Sequence, residues 1–337
     1  MVELSVSYVV SIYNKSFYIP YVVDAIFNQE GVHNCEYIFI DDGSTDDSLD
    51  VLKQCTKGHN NVKIIHQENA GPAVATNRGI FEASCPYIKF VDGDDILHPR
   101  STLELFNAMS KHGAGLAHSL IEQITFPSTL SAMLVRPLSE AGSFLITDSL
   151  AYVSEKALFN LTCVLVSTDL AKRSGGCDER VFIQDYSVIL RLANRTPFAV
   201  VPKVLAFAPM VEEDDRASSL AGGAQVLHDL NLALGYFLRE NKDIPRALQN
   251  VILKKTIGRA WKWAHRHGNT HFFSSKYMSY CFAVLAPQFL DIPKLILESC
   301  MWFRATSAVK LAPTIDKPSV LQELALSPSE KQVDLSE

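Results

Sequence analysis

The sequence predicts an α/β protein in which helices flank a mostly parallel sheet, with a smaller helical part at the C-terminus. Strand and helix patterns alternate through the first hundred residues, and repeated strand–helix–strand units build parallel sheets with right-handed crossovers. After residue 215 the pattern becomes helical. We therefore expect an α/β domain in residues 1–215, a helical region in 216–309 and a disordered tail rich in proline, serine and charge in 310–337.

The first two strands enclose one helix. Val6 to Ile12 is a mostly apolar run rich in β-branched residues, which is typical of a strand buried on both faces. Ile19 to Gln29 follows with a helical pattern, and Tyr37 to Ile40 is the second strand. Ser44, with Asp47 three residues later, resembles a capping box and predicts that the next helix opens there.

Further elements follow at similar spacing. Val62 to Ile65 and Tyr87 to Val91 are apolar runs, and the segment between them, Pro72 to Ala83, has a helical pattern. Pro99 suits the first turn of the next helix. The remaining predicted elements are a strand at Leu161–Ser167 and helices at Tyr186–Ala193, Val226–Glu240, Pro245–His267 and Phe272–Val284.

Composition describes an ordinary globular chain. Of its 337 residues 47% are hydrophobic, and the net charge of −6 argues against a protein whose main surface binds nucleic acid. The seven cysteines show no metal-ligand spacing, which indicates reduced thiols in a cytoplasmic protein. The N-terminus favours a core strand over a signal peptide, and Pro, Asp and Lys interrupt the apolar stretch Tyr280–Leu297, so no membrane span is predicted.

Acidic residues follow two of the predicted strands, at Asp41–Asp46 and at Asp92–Asp95. Ligands of parallel sheets bind at the carboxyl ends of the strands, where Asn14, Asp42 and Asp92 all fall. Clustered carboxylates suit Mg²⁺ or Mn²⁺ bound together with substrate phosphates. The alternative is that both segments are polar turns whose aspartates cap helices.

Six blocks of sequence together resemble the family 2 glycosyltransferases. They are SVSYVVSIYNKS, AIFNQ, EYIFIDDGSTDDS, VKIIHQENAGPAVATNRGIFEAS, PYIKFVDGDDILHP and GGCDERVFIQDYSVILRLA, in the family's order and spacing. The resemblance covers about residues 4–205. It implies a GT-A fold, which is a Rossmann-like, mostly parallel sheet flanked by helices, and a glycosyltransferase that uses a nucleotide-sugar donor.

The resemblance also implies roles for individual residues. Asp185 matches the catalytic base of inverting members, although the residues alone favour an N-cap for the following helix. Asp94 matches a ligand of Mn²⁺ or Mg²⁺, and Asp92 faces the metal or the ribose. Asp42 matches the aspartate that binds the nucleobase. The other donor-binding candidates are Ser11, Tyr13, Asn14, Asp41 and Asn77.

The chain departs from the family's pattern in three places. Gln184 stands where the family usually has glutamate, and Thr76 stands where many members have arginine. The family's downstream histidine is missing, and Arg216 is the candidate that could replace it. No Q-x-x-R-W motif follows Asp185, which favours the addition of single sugars over processive synthesis.

The resemblance implies the inverting transfer of a hexosyl or N-acetylhexosaminyl group from a UDP-sugar. The acceptor would be a glycan, a lipid-linked molecule or a protein, and the reaction would serve polysaccharide or glycoconjugate biosynthesis. Two alternatives stay open. The departures would suit a nucleotide-sugar-binding module that has lost turnover. A nucleotidyltransferase would need a glycine-rich basic loop after the first strand, and Ser11–Lys15 has no glycine.

Basic and aromatic residues are interspersed along the predicted helix Pro245–His267. Such a helix could rest on an anionic membrane, which would make the protein peripheral at the membrane's inner face. The sequence favours the simpler interpretation, a solvated helix whose tryptophans pack inward. The residues concerned are Lys254, Lys255, Arg259, Trp261, Lys262, Trp263, Arg266 and His267.

Overall fold

A computed structural model describes residues 4–156, 160–210, 223–268, 271 and 274–312. Its described strands form one sheet in the order β3-β2-β1-β4-β8-β6-β9-β5, and β7 also pairs with β9. The strands are β1 (Ser5–Ile12), β2 (Asn34–Asp41), β3 (Val62–His66), β4 (Tyr87–Asp92), β5 (Ile96–Leu97), β6 (Leu116–Ile124), β7 (Phe144–Ile146), β8 (Val164–Ser167) and β9 (Phe198–Pro209).

Helices cover the sheet and form the C-terminal part. Those within the α/β part are α1 (Ile19–Phe27), α2 (Ser48–Cys55), α3 (Pro72–Glu82), α4 (Ser101–His112), α5 (Leu130–Leu134), α6 (Ser149–Glu155), α7 (Thr168–Arg173) and α8 (Asp185–Ala193). The C-terminal helices are α9 (Ala224–Glu240), α10 (Arg246–His267), α11 (Ser275–Leu285) and α12 (Ile292–Arg304). Short 3₁₀ turns lie at Leu161–Cys163 and Pro287–Phe289.

Both faces of the sheet are buried, as the apolar runs predict. Along β1, Tyr8 and Val10 point into one hydrophobic cluster while Val9 points into the other. Helix α3 lies close against β1, because a Cβ on Gly79 would come within 2.2 Å of Val9 Cγ1. Glycine at position 79 is therefore required for the helix to pack at this distance.

The parallel arrangement holds for the first four strands and changes beyond them. β1 pairs in parallel with β2 and β4, and β2 pairs in parallel with β3. β8 lies antiparallel between β4 and β6, and β5 and β7 run antiparallel to β9. The α/β class with a mostly parallel core is confirmed, and the antiparallel pairings extend the sheet sideways beyond β4.

The C-terminal helices share the core of the α/β part. Leu230 and Leu234 of α9 and Ile296 of α12 belong to the same hydrophobic cluster as Val9 of β1. The predicted boundary at residues 215 and 216 and the acidic run before it lie outside the described residues, as does most of the predicted tail. The division into domains therefore stays a prediction.

Two local predictions were wrong. Helix α2 begins at Ser48 with Asp47 as its N-cap and has no side-chain cap, so Ser44 lies too early in the chain to cap it; the Ser44 hydroxyl accepts a hydrogen bond from Asn14 N. Pro99 precedes α4 by two residues, and Arg100 is the N-cap. Among the described helices, none combines the length and the apolar character that crossing a bilayer requires.

Candidate active site

The carboxyl ends of three neighbouring strands bring the predicted acidic turns together. In the strand register, Ser11 lies opposite Ile40 on one side and opposite Asp92 on the other. Asp41 pairs with Ile12, and Asp42 N donates to Ile12 O at 2.8 Å. Ser11, both aspartates of the first turn and Asp92 therefore share one edge of the sheet.

The first acidic turn is held rigidly. The Asp42 carboxylate accepts hydrogen bonds from Gln67 Nε2 at 2.8 Å and from the backbone amides of Ala70 and Gly71 at 2.9 Å each. Asp41 contacts His66 Nδ1 at 2.6 Å through Oδ2, while its buried Oδ1 has no partner within the described residues. A buried free acceptor beside a fixed carboxylate suits a ligand that donates hydrogen bonds.

Asn14 connects the first turn to the end of β1. Its backbone adopts φ 53°, a region that asparagine tolerates better than most residues. Its side-chain Oδ1 accepts from Thr45 N at 2.8 Å, and its own N–H donates to Ser44 Oγ at 3.0 Å. Tyr13 beside it is 46% exposed. Asn14 thus shapes the loop, and Tyr13 presents an accessible ring at the same edge.

The second acidic turn packs directly against the end of β1. A Cβ on Gly93 would lie 2.9 Å from Ser11 O, so only glycine permits this approach. Asp95 is buried and its Oδ2 accepts from Thr162 Oγ1 at 2.7 Å and from Asn160 Nδ2 at 3.1 Å. Asp94 remains partly exposed and forms an ion pair with Lys15, with Nζ 2.5 Å from Oδ2.

Asp185 joins this turn from a distant part of the chain. It is the first residue of α8, and no side chain caps that helix, so Asp185 does not act as its N-cap. Its buried Oδ1 lacks a hydrogen-bond partner in the part of the chain that the structure describes. Burial, followed by the negative charges of Asp92 and Asp95, raises the pKa of Asp185 well above its ordinary value. Asp185 is therefore close enough to the second turn to interact with it electrostatically.

Carboxyl groups outnumber ammonium groups in this cluster. It contains Asp92, Asp94, Asp95 and Asp185, and within the described residues the ammonium groups that interact with these carboxyls are those of Lys15 and the buried Lys89. Burial and the Asp94 charge raise the pKa of Asp92 to about 6, and burial lowers that of Lys89 to about 8. The cluster consequently favours the binding of an additional cation.

The acidic turn provides hard oxygen ligands without a complete protein cage. Nowhere in the described ranges do three or more His, Cys, Asp or Glu side chains stand ready to hold a metal ion. Mg²⁺ and similar ions at diphosphate sites commonly take only one or two carboxylates, with the phosphates as further ligands. Asp92 and Asp94, with the unpartnered Asp185 oxygen nearby, fit such an ion.

One predicted donor-binding residue lies elsewhere. Asn77 is fully buried in α3, and both ends of its amide are occupied. Nδ2 donates to Cys177 O at 3.1 Å and to Glu179 Oε1 at 2.6 Å, while Oδ1 accepts from Cys177 N at 2.7 Å. Asn77 therefore holds the segment that precedes Asp185. Because both ends of its amide are already occupied, Asn77 is not available to bind a donor.

Sequence reasoning missed a buried chain of hydrogen bonds that reaches the segment just before Asp185. Asp229 of α9 accepts from Ile183 N at 2.9 Å, two residues before Asp185, and contacts His228 Nδ1 at 2.6 Å. Arg304 Nε donates to His228 Nε2 at 2.9 Å, so the His228 proton lies on Nδ1. The adjacent His228 and Asp229 in the mostly apolar stretch VLHDLNLAL were the available signal.

We expect Asp229→Asn to lower kcat while leaving donor affinity nearly unchanged, because the amide disrupts the bonds that fix Ile183 and hence Asp185. The loss of stability should be about 1–3 kcal/mol, as for an unmatched buried hydrogen-bonding group. Steady-state kinetics and thermal unfolding measure the two effects. Ser299→Ala is the matched control, since Ser299 is a buried polar residue of the same helical region that makes no bond to this segment. A parallel loss of kcat in both variants would contradict the positioning role.

Comparison with known proteins agrees with this geometry. Residues 7–141 match the family model described as glycosyl transferase family 2. Glycosyltransferase GlyG of Streptococcus pneumoniae serotype 4 is 38% identical over 110 residues, which are 32% of this chain and 36% of GlyG. The aligned segments span only 17–36% of the length of such curated relatives.

Solved structures resemble a larger part of the chain. TarS 1–349 of S. aureus in complex with UDP-GlcNAc has a TM-score of 0.60 at 16% identity, covering 90% of this chain and 88% of that one. Mannosyltransferase PcManGT from Pyrobaculum calidifontis, in complex with GDP-Man and Mn²⁺, has a TM-score of 0.52 at 17% identity, with 91% and 86% covered. At such identities the structures establish the fold. In residues 7–141 the chain is therefore similar to the family 2 glycosyltransferases, and its fold is GT-A.

Proposed function

We propose that this glycosyltransferase moves one sugar from a UDP-sugar to an acceptor hydroxyl with inversion at the anomeric carbon, with Asp185 as the base. The observation that carries the proposal is the free, buried Oδ1 of Asp185 beside Asp92 and Asp95. A carboxylate that is neither paired nor used as a helix cap is available to accept a proton. The electrostatic interaction of Asp185 with the acidic turn supports a base that lies close to the proposed donor site.

The donor site we propose follows the shared edge of β1, β2 and β4. Asp42, fixed by two backbone amides, and the free Asp41 Oδ1 would accept hydrogen bonds from the nucleobase and ribose. Ser11 and Tyr13 border the same space. TarS was solved with UDP-GlcNAc, which supports a UDP-sugar and a hexosyl or N-acetylhexosaminyl group.

In the proposed reaction the acceptor oxygen attacks the anomeric carbon as Asp185 takes its proton. The bond from that carbon to the diphosphate oxygen breaks, and the nucleoside diphosphate leaves. Asp94 and Asp92 would hold Mn²⁺ or Mg²⁺, which supplies positive charge against the developing charge of the departing diphosphate. Lys15, which neutralises Asp94 in this structure, would then be released toward the phosphates.

For the acceptor we propose a hydroxyl group on a glycan, a lipid-linked glycan or a protein. A cytoplasmic location stays a prediction from the scattered cysteines, none of which pairs in a disulfide within the described residues.

Calorimetric titration with UDP-glucose, UDP-GlcNAc and GDP-mannose, each with and without Mn²⁺, tests the donor assignment. We expect a UDP-sugar to bind in a Mn²⁺-dependent manner and GDP-mannose to bind more weakly. The reason is that the carboxylates of Asp41 and Asp42 are held in fixed positions, which we expect to match the hydrogen-bond donors of only one of the two bases. An assay of UDP release with the same donors then tests turnover. Tight binding without any release would favour a binding module, and equal affinity for both nucleotides would contradict the base assignment.

A further inference from the structure

Charge is distributed unevenly along the C-terminal helices. Although the whole chain has a net charge of −6, residues 244–290 contain seven lysines and arginines and no aspartate or glutamate. This stretch comprises α10, α11 and the 3₁₀ turn Pro287–Phe289. A segment that is purely basic within an acidic protein is an electrostatic site for a negatively charged partner.

Helix α11 carries a stripe of large apolar side chains on its outer surface. Met278, Phe282 and Leu285 are spaced by four and three residues, so they lie on one helix face. They are 44%, 55% and 79% exposed, and Phe289, four residues further, is 83% exposed. We call these four residues the apolar stripe. Leaving it in water costs free energy, which marks it as a contact surface.

The packing beneath the stripe fixes its outward orientation. Tyr280 stacks on Trp261 of α10 with ring centroids 5.4 Å apart, and Ala283 is buried. Arg246 Nη2 donates to Pro287 O at 2.6 Å and to Leu290 O at 2.9 Å, which anchors the turn that presents Phe289. The aromatic face of α11 is therefore satisfied internally, and the apolar stripe is left for another partner.

Helix α10, which packs against α11, carries exposed cations. Lys254, Lys262 and Arg266 are exposed, whereas Lys255 donates to the carbonyls of Ser154 and Glu155 at the end of α6. Basic side chains next to inserted aromatic and aliphatic ones are the combination that binds the surface of an anionic bilayer. The sequence alone favoured a solvated helix for α10, and the exposed stripe on α11 changes that preference.

We propose that α10, α11 and the Pro287–Phe289 turn dock this protein on an anionic lipid bilayer, with the apolar stripe inserted and the lysines at the headgroups. A second copy of the chain fits this surface less well. A symmetric dimer would place the purely basic segment against itself, with no acidic residue in 244–290 to compensate. Docking and sugar transfer are separate properties, so either can fail without the other.

Flotation of the full chain with vesicles tests the proposal. We expect it to float with vesicles of phosphatidylcholine mixed with phosphatidylglycerol, less at high salt, and not with phosphatidylcholine alone. Lys254→Glu/Lys262→Glu should lower partitioning at least about tenfold, since each lysine near the surface contributes about fivefold. Phe282→Ser/Leu285→Ser/Phe289→Ser should abolish flotation.

Val135→Ser is the matched control, because Val135 is 81% exposed at the end of α5 and is not part of residues 244–290. Circular dichroism and donor binding establish that each variant is folded. Absence of flotation with the anionic vesicles would overturn the proposal, as would flotation that the stripe and lysine variants leave unchanged. A dimer in sedimentation velocity that the stripe variant dissociates would identify a second copy as the occupant and equally overturn it.

Discussion

Asp185→Asn is expected to lower kcat by about 10²–10⁴-fold, which is the range of general-base contributions. The amide keeps the shape of the side chain but cannot take the acceptor's proton. Donor affinity should be unchanged or higher, because one of several negative charges near the diphosphate is removed. Turnover is measured as UDP release, and donor affinity by calorimetry. A variant that loses donor affinity while keeping kcat would contradict the assignment of Asp185 as the base.

The pH dependence of wild-type activity is an independent test of Asp185 as the base. A base must be deprotonated to act, and burial together with Asp92 and Asp95 raises the pKa of Asp185. Activity should therefore fall as pH decreases, with a midpoint above the ordinary aspartate value of about 3.9. Asp95→Asn removes one of the neighbouring charges, lowers the pKa of Asp185 and should move this acidic limb to lower pH. If the acidic limb of the pH profile does not move in Asp95→Asn, a group other than Asp185 controls it.

Local patterns were sufficient to predict the parallel half of the fold. The apolar run that became β1 and the acidic residues after β2 and β4 indicated the strands and the edge at which their ends meet. The same patterns could not show that β8 inserts antiparallel between β4 and β6. Periodicity reports which residues are buried, whereas strand order depends on contacts between residues far apart in sequence.

The candidate site was likewise predictable only in part. The resemblance indicated Asp92, Asp94 and Asp185, and the structure brings Asp185 close enough to Asp92 for their charges to interact. The groups that organise them were not predictable, because each acts over a long separation in sequence. Lys89 was a visible signal, since it is a basic residue inside the apolar run YIKFV, and it donates to Thr162 O.

Asp94→Ala is expected to weaken Mn²⁺ binding by more than about 100-fold, since even residues that only support a ligand contribute about 10–100-fold. Mn²⁺-dependent donor binding should be lost with it. Free Mn²⁺ measured by electron paramagnetic resonance reports metal affinity without requiring turnover, and calorimetry reports donor binding. Unchanged Mn²⁺ affinity in this variant would exclude Asp94 as a ligand.

Lys15→Met is the matched variant because it alters the same ion pair from the other side. Lys15 Nζ lies 2.5 Å from Asp94 Oδ2, and although burial lowers the pKa of Lys15, the Asp94 charge and hydrogen bond outweigh this and raise it. The ammonium thus competes with a metal for the same oxygen. Removing it should tighten Mn²⁺ binding in the absence of donor, opposite in sign to Asp94→Ala. Weaker Mn²⁺ binding in both Lys15→Met and Asp94→Ala would instead mean that the ion pair maintains the shape of the turn. Asp94 would then affect Mn²⁺ binding through that shape and not as a ligand.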